Sequence, residues 1–410
     1  MDFIDGGVRG LNVRRWRIPT EDEILNGRTT DVYFSRTKQV LDAEGVNPLV
    51  YAEVTVSWHP PEYGALFVAG IDDVLKLFEG RNVNIYGLPE ATMFSARDDR
   101  GVSVPVLSIE GHYADFAELE TPALGFLCFT SGVVTKTAHL RAIAGQRRLL
   151  SFGARRVHPA LSAQLEYAAY IGGCDGVSSI LGAEMLGIEP SGTMPHALIV
   201  VLRDHVRAWQ AFDRHIKRDV PRIALTDTYL DEVREAIMAA ESVRDLYAVR
   251  LDTTGSRRGD MAKIVREVRW ELDVRGYKHV KIFVSGGLDA EEMRRLSDAP
   301  VDGYGVGSAI SNARPIDYAM DIVSLYEDGS WTPAAKRGKM SGRKRVYRCE
   351  SCLRLRVMLV DDPPPACPEC GKVMSSLSVQ LMHSGVPVSE VHPPERLRER
   401  VLQQLTMIKR

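Results

Sequence analysis

Four cysteines lie close together near the C-terminus, as Cys349-x2-Cys352-x14-Cys367-x2-Cys370. Each Cys-x-x-Cys turn can offer two thiolates to one ion, and two such turns complete a tetrahedron. The spacing therefore predicts a zinc ribbon whose closed, four-sulfur site is structural. Iron in a rubredoxin-like site is the main alternative and redox pairing the lesser one. A second set of chemically capable residues follows five short apolar runs. Gly153, Arg155 and Arg156 come after Leu149–Phe152, and Thr226, Asp227, Thr228 and Tyr229 after Ile223–Leu225. Arg250 and Asp252 alternate with Leu251 and so share a face, with Thr253, Thr254 and Gly255 just beyond. Ser285-Gly286-Gly287 and Gly305-Val306-Gly307-Ser308 end the series. Small residues let backbone N–H groups approach an anion closely, so the last two motifs read as a phosphate site, with plain turns as the competing reading. Guanidinium groups beside such a site suit carboxylate or phosphate. An Arg and Asp pair can hold an anion, a metal or sugar hydroxyls, or else form a structural ion pair.

Those residues need a frame that gathers strand ends. Over residues 141–330 short apolar β runs alternate with amphipathic stretches at 230–241 and 260–275, the rhythm of a parallel sheet covered by helices. So many units in one stretch predict a β/α barrel, in which working residues sit at the C-terminal strand ends. Residues 1–140 read as an α+β sandwich, with strands near 49–56, 65–70, 83–86 and 104–109 and a helix over 22–45. Residues 331–410 hold a basic stretch, the cysteine unit and a charged helix from Pro394 to Lys409. The expected fold class is thus α/β: a barrel, a sandwich domain and a small zinc-ribbon domain.

Composition narrows the function. With 410 residues, 45% apolar and 26% charged, the chain is of ordinary globular make-up and long enough for two or three domains. Lys and Arg number 52 against 54 Asp and Glu, which argues against a general nucleic-acid coat protein. No apolar run approaches membrane-spanning length, and the start, Met1-Asp2-Phe3-Ile4-Asp5-Gly6, carries no secretory pattern, so a cytoplasmic location is expected.

Taken together, the motifs resemble those of nicotinate phosphoribosyltransferases, within the pyridine phosphoribosyltransferases that share the quinolinate enzyme's fold. The resemblance spans about residues 20–348. It is carried by Thr30-Asp31-Val32-Tyr33-Phe34, Gly111-His112-Tyr113, Glu120 to Leu127 and Phe152-Gly153-Ala154-Arg155-Arg156. It continues through Gly172-Gly173-Cys174-Asp175-Gly176-Val177-Ser178-Ser179, Gly192-Thr193-Met194-Pro195-His196 and Val249 to Asp252. The two glycine motifs close the set. The resemblance implies an incomplete barrel of about seven strands. It also implies transfer of phosphoribose from phosphoribosyl pyrophosphate to the pyridine nitrogen of nicotinate, in NAD salvage, coupled to ATP hydrolysis and so of ligase type. Arg155 would hold the nicotinate carboxylate, with Arg156 supporting it or touching the donor. Ser178 and Thr193 would line the substrate site. Tyr33 would stack on the pyridine ring from a neighbouring subunit of a homodimer or higher homo-oligomer with shared sites. Arg250 and Asp252 would bind the donor's ribose, pyrophosphate or Mg²⁺. The loops at Ser285, Gly286 and Gly287 and at Gly305, Gly307 and Ser308 would hold the 5′-phosphate. His196 matches a histidine that ATP phosphorylates in the family, and Pro195 stands where relatives often carry a small, flexible residue, which implies a different loop geometry; the competing role is a hydrogen bond to the donor phosphate.

The stretch from Lys336 to Arg348 has seven cations and no acid, but it resembles the family's Lys-rich return from the barrel, with Lys336 able to reach the site's mouth. The aromatics of an RNA reader are missing, so nucleic acid is not expected. The zinc-bearing tail resembles that of some archaeal members. Two other functions remain open: a quinolinate or nicotinamide phosphoribosyltransferase, and an inert barrel whose ribbon binds nucleic acid or protein.

Overall fold

The computed structural model describes residues 14–253, 259–388 and 392–408. Thr254, Gly255 and the first residues of the chain lie outside these. The N-terminal region supplies β1 (Leu49–Trp58), β2 (Leu66–Val68), β3 (Val83–Gly87), β4 (Thr92–Phe94) and β5 (Pro105–His112). Next come β6 (Arg148–Ser151), β7 (Gly176–Val177), β8 (Ile223–Leu225), β9 (Ala248–Leu251), β10 (Lys281–Ser285) and β11 (Gly303–Val306). The chain continues with β12 (Asp317–Glu327), β13 (Ser330–Pro333), β14 (Lys344–Arg348), β15 (Leu355–Leu359), β16 (Ser375–Ser376), β17 (Val379–His383) and β18 (Val386–Pro387).

A seven-stranded sheet runs β13-β12-β1-β5-β3-β17-β18. One of its inner strands, β1, shows why the sequence folds this way. Val50, Ala52, Val54 and Val56 of β1 point into one apolar cluster, as a period of two requires. Glu53 and Thr55 point the other way. There Glu53 meets Lys344 at 2.8 Å, both nearly inaccessible to solvent, and Asp321 meets Lys336 and Lys339 at 2.5 and 2.9 Å. Arg343 faces Glu110 at 3.9 Å. Much of the basic stretch is therefore spent on ion pairs with this sheet. Lys336 lies here and does not line the cavity described below.

The predicted helix over 22–45 is two helices, Glu21–Leu25 and Val32–Glu44. Thr20 and Glu23 close a capping box on the first, and Gly27, at φ +68°, turns the chain out of it. A long helix, Glu120–Ala144, joins the two layers. Ala123 and Leu127 pack into the sandwich core, whereas Val133, Val134, Ala138 and Leu140 pack into the barrel core.

The second sheet is wholly parallel, in the order β7-β6-β11-β10-β9-β8. It has six strands, against about seven expected, and it does not close, because β7 and β8 do not pair. β7 is two residues long, and the chain from there to β8 is taken up by helices Ile180–Leu186, His196–Leu202 and His205–His215. Helices thus fill the place of the missing strand. Val249, Leu251, Ile282, Val284, Tyr304 and Val306 pack with the surrounding helices in one core.

The cysteine unit is built on β14, β15 and β16. Its Val346, Leu355 and Val357 pack into the sandwich core. Asp98 accepts from the Val357 N–H at 3.1 Å, and Arg100 donates to the Val357 carbonyl. Beyond the unit, β17 pairs with β3, and helix Pro394–Ile408 returns to the barrel. Leu397, Val401 and Leu405 bury there, and Arg398 donates to the Cys174 carbonyl at 2.8 Å and to Asp175 at 2.5 Å.

Candidate functional site

A cavity of about 470 Å³ opens at the C-terminal ends of the parallel strands. Its walls include Arg155, Arg156, Ser178, Thr193, His196, Arg250, Asp252, Ser285, Gly286, Gly287, Gly305, Gly307 and Ser308. Of the residues given a substrate, donor or phosphate role from the sequence, Tyr33 is not among them, and Thr226, Asp227, Thr228, Tyr229 and Thr253 do not line the cavity either. Tyr33, on helix Val32–Glu44, is 56% exposed and packs against Phe34 at a ring separation of 4.4 Å. Within one chain it does not line the site.

The parallel register brings the polar groups together. Arg250 leaves the end of β9 and spans two neighbours, donating to Ser285 Oγ at 3.0 Å and to the Met194 carbonyl at 2.9 Å. Ser285 in turn donates to Asp252 Oδ1 at 2.6 Å. The Arg250 guanidinium lies 3.7 Å from that same carboxylate oxygen and 5.9 Å from the Phe152 ring centre. Deep burial lowers the Arg250 pKa, with Asp252 and Asp227 opposing. Burial also works against ionisation of Asp252, yet the facing His196, Arg250 and Ser285 together hold its carboxyl below the ordinary value.

The loop carrying Thr193 is pinned by Arg250 through Met194, whose side chain is buried in the core. Pro195 caps the following helix at φ −84° and ψ 157°, values its ring accepts, and His196 opens that helix. The imidazole is gripped on both sides. Its Nδ1 lies 3.0 Å from Thr228 Oγ1, and its Nε2 lies 3.6 Å from Asp227 Oδ1 and 3.7 Å from Asp252 Oδ2. The Asp252 carboxylate raises the imidazole pKa; partial burial opposes this and Asp227 adds to it. Burial pushes Asp227 up to about 6, and its Oδ1 is buried without a hydrogen-bond partner.

The glycines are needed for close approach. Gly286 and Gly287 have φ +81° and +68°, in the left-handed region. A Cβ on Gly286 would sit 3.0 Å from the Asp252 carbonyl oxygen, and one on Gly305 would sit 2.3 Å from the Phe152 ring. The strand ends therefore pack so tightly that a Cβ would force the Phe152 ring to shift at Gly305 and would crowd the Asp252 backbone at Gly286.

Sequence reasoning gave no role to two buried carboxylates behind this rim. Glu166, on helix Ser162–Ile171, accepts from Ser178 N and Ser178 Oγ, both at 3.0 Å, and from Ser179 N at 2.7 Å. Glu235, on helix Glu232–Ser242, accepts from Thr228 N at 3.0 Å and from Tyr229 N and Leu230 N at 2.7 Å. Each glutamate sits in a helix that follows or precedes a rim loop, and that placement is the one signal the sequence offered.

Away from the cavity, Cys349, Cys352, Cys367 and Cys370 converge, with one Sγ of each within 4.8 Å of the others, so the four could hold a metal ion. The two halves fold alike. The Cys349 N–H donates to the Arg354 carbonyl and the Leu353 N–H to the Cys349 carbonyl, both at 2.9 Å. The Cys367 N–H donates to the Lys372 carbonyl at 2.8 Å and the Gly371 N–H to the Cys367 carbonyl at 2.9 Å. Leu353 and Gly371 both have positive φ, which turns each pair of thiols inward.

Comparison with known proteins adds to this geometry. The quinolinate phosphoribosyl transferase family matches in two parts, its N-terminal domain over residues 31–131 and its C-terminal domain over residues 133–321. A nicotinate phosphoribosyltransferase of Mycobacterium tuberculosis is 27% identical over 361 residues, taking in 78% of this chain and 74% of the relative. One from Bacillus subtilis is 29% identical over 258 residues, or 60% of this chain and 52% of the relative. The crystal structure of nicotinate-nucleotide pyrophosphorylase from Pyrococcus furiosus superposes with a TM-score of 0.91 at 47% identity, over 97% of this chain and 99% of that one. Human nicotinic acid phosphoribosyltransferase superposes with a TM-score of 0.69 at 19% identity, over 92% and 94% of the two chains, a likeness of fold.

Proposed function

The chain belongs to the quinolinate phosphoribosyl transferase family, and from that premise we propose that it is a nicotinate phosphoribosyltransferase. The observation that carries this reading is one cavity holding three arginines, His196, Asp252 and two glycine loops at a single end of the half-barrel. The similarity to nicotinate phosphoribosyltransferases supports the substrate.

The pyridine nitrogen of nicotinate already carries a lone pair, so no proton need be removed. That pair forms the bond to C1′ of the sugar while the bond from C1′ to the pyrophosphate oxygen breaks, and the electrons leave with pyrophosphate. The protein must align the reactants, shield an electron-poor carbon and receive a polyanion. Arg155 holds the nicotinate carboxylate by two parallel hydrogen bonds, with Arg156 beside it. Ser178 and Thr193 line the pocket around the ring. Arg250 faces the departing pyrophosphate, and Asp252 takes the ribose hydroxyls. The loops at Ser285–Gly287 and Gly305–Ser308 receive the 5′-phosphate. Two clustered carboxylates, one with an orphaned buried oxygen, fit Mg²⁺. Asp252 and Asp227 would hold it, and its charge would offset that of the pyrophosphate. An imidazole nitrogen of His196 takes the terminal phosphoryl group of ATP as the phosphorus–oxygen bond to ADP breaks, and water later cleaves the phosphohistidine to phosphate, which couples hydrolysis to synthesis. Because Tyr33 lies outside the cavity of its own chain, its stacking role requires a homodimer in which the partner supplies it. The four ribbon thiolates hold structural Zn²⁺. Among the described residues no helix is long and apolar enough to cross a membrane, and we place the enzyme in the cytoplasm, serving NAD salvage.

The family takes its name from a second substrate, quinolinate, so the test must separate the acids. Purified protein is given phosphoribosyl pyrophosphate and Mg²⁺ with nicotinate, nicotinamide or quinolinate, with and without ATP. Nicotinate mononucleotide formed from nicotinate, faster with ATP, supports the reading. Turnover of quinolinate alone, or of none of the three, refutes it.

A further inference from the structure

β7 and β8 are the two edges of the half-barrel, and among the described residues no strand bridges them. The loop after each edge therefore lacks a neighbouring strand on one side. On the β8 side a single side chain stands in for it. Glu235 is fully buried and accepts three consecutive backbone N–H groups, those of Thr228, Tyr229 and Leu230. That short segment flanks His196. Thr228 Oγ1 meets Nδ1 at 3.0 Å, and Asp227, one residue earlier, faces Nε2 at 3.6 Å while its other oxygen accepts from Asp252 N at 2.9 Å. Asp252 and Arg250 complete the charged surroundings of the imidazole. Glu235 itself does not line the cavity, and His205 Nδ1 lies 4.0 Å from its Oε1.

We propose that Glu235 is a positioning residue for the reaction, fixing the Thr228–Leu230 backbone so that Thr228 and Asp227 clasp His196 in one orientation. A carboxylate is suited to this because it only accepts, and three donors converge on it. An amide at the same place would turn a donor toward one of those N–H groups. The inference rests on the role proposed above for His196.

The test uses the full chain with Glu235→Gln, Glu235→Asp and Thr228→Val. Amide hydrogen exchange is followed by mass spectrometry on peptides spanning 226–231 of the free protein, and kcat and KM are measured beside it. In folded Glu235→Gln, exchange in this segment should quicken while the other barrel strands stay protected. Its kcat should fall roughly 100-fold, the cost of misplacing a reacting group by about 1 Å, with KM for nicotinate changed by less than roughly 3-fold. Glu235→Asp should recover part of that kcat. Thr228→Val should lower kcat with exchange unaltered. Normal kcat or normal exchange in folded Glu235→Gln overturns the proposal. Should that variant not fold, normal kcat in Thr228→Val overturns it. A wild-type chain without turnover sinks the functional reading, whereas variants matching an active wild type sink only the positioning role.

Discussion

Arg250 offers the sharpest quantitative test. Its guanidinium reaches Ser285 Oγ and the Met194 carbonyl at once, at 3.0 and 2.9 Å, and so ties the loop before His196 to the loop that would hold phosphate. Arg250→Lys keeps the charge but replaces the planar fork with one ammonium group on a flexible stem. It should lose one of the two hydrogen bonds, about 1.5–3 kcal/mol for a charged donor. At about 1.36 kcal/mol per decade, that is a fall of roughly 10- to 150-fold in kcat/KM. Arg250→Ala removes the charge as well, and the loss should reach about 100- to 1,000-fold in kcat, the range for deleting a preorganised group aimed at a developing anion. Initial rates of nicotinate mononucleotide formation, resolved by chromatography across donor concentrations, give both parameters, and thermal melts show whether the variants fold. If Arg250→Lys works within roughly 3-fold of wild type, the two-armed bridge has no catalytic consequence and the reasoning fails.

Gly286→Ala places a methyl group at φ +81° and 3.0 Å from the Asp252 carbonyl oxygen, a strain of about 1–2 kcal/mol. It should lower the melting temperature and raise KM for phosphoribosyl pyrophosphate; unchanged values would remove this loop from the phosphate site. Glu90 caps helix Ile71–Phe78 through the N–H groups of Gly70 and Asp72, and burial, with Asp72 nearby, pushes its carboxyl from an ordinary 4.5 up to about 8. The folded state therefore binds this proton more tightly than the unfolded one. The stability it confers is complete below about 4.5 and declines as pH rises through about 8. Glu90→Gln should flatten that decline in melts taken across this range, and an unaltered slope would assign it elsewhere. Cys370→Ser should release the bound metal, measured by elemental analysis, and lower the melting temperature, as should a strong chelator on the wild type. Equal melting with and without chelator would show that the cluster is not a structural metal site.

Much of the rim was legible because it obeys local rules. Apolar runs at 223–225, 280–284 and 303–306 announce buried parallel strands, and the small or polar residues directly after them fall at the strand-end side. Arg250 and Asp252 share a face by strand alternation alone. The gap between β7 and β8 was not legible, since a two-residue strand such as Gly176–Val177 leaves no periodicity. Glu166 and Glu235 were passed over for a physical reason. A glutamate within a helix normally faces water, and its burial depends on N–H donors brought from a loop that the helix pattern says nothing about. Tyr33 is the reverse case: its motif is easy to read, but it was expected to act on a neighbouring subunit, and within one chain it is exposed and does not line the cavity.

The order of the seven-stranded sheet has a consequence for how the molecule is made. β1 and β3 emerge early, but their outer neighbours, β12 and β17, are translated only after the whole barrel. Until then both flanks of a growing β1-β5-β3 core present bare backbone donors and acceptors, the kind of template on which nascent chains join one another. Strands made after the barrel are the ones that seal it. A stop codon before residue 379 would leave the β3 flank open for good, and the product should sediment with other copies of itself.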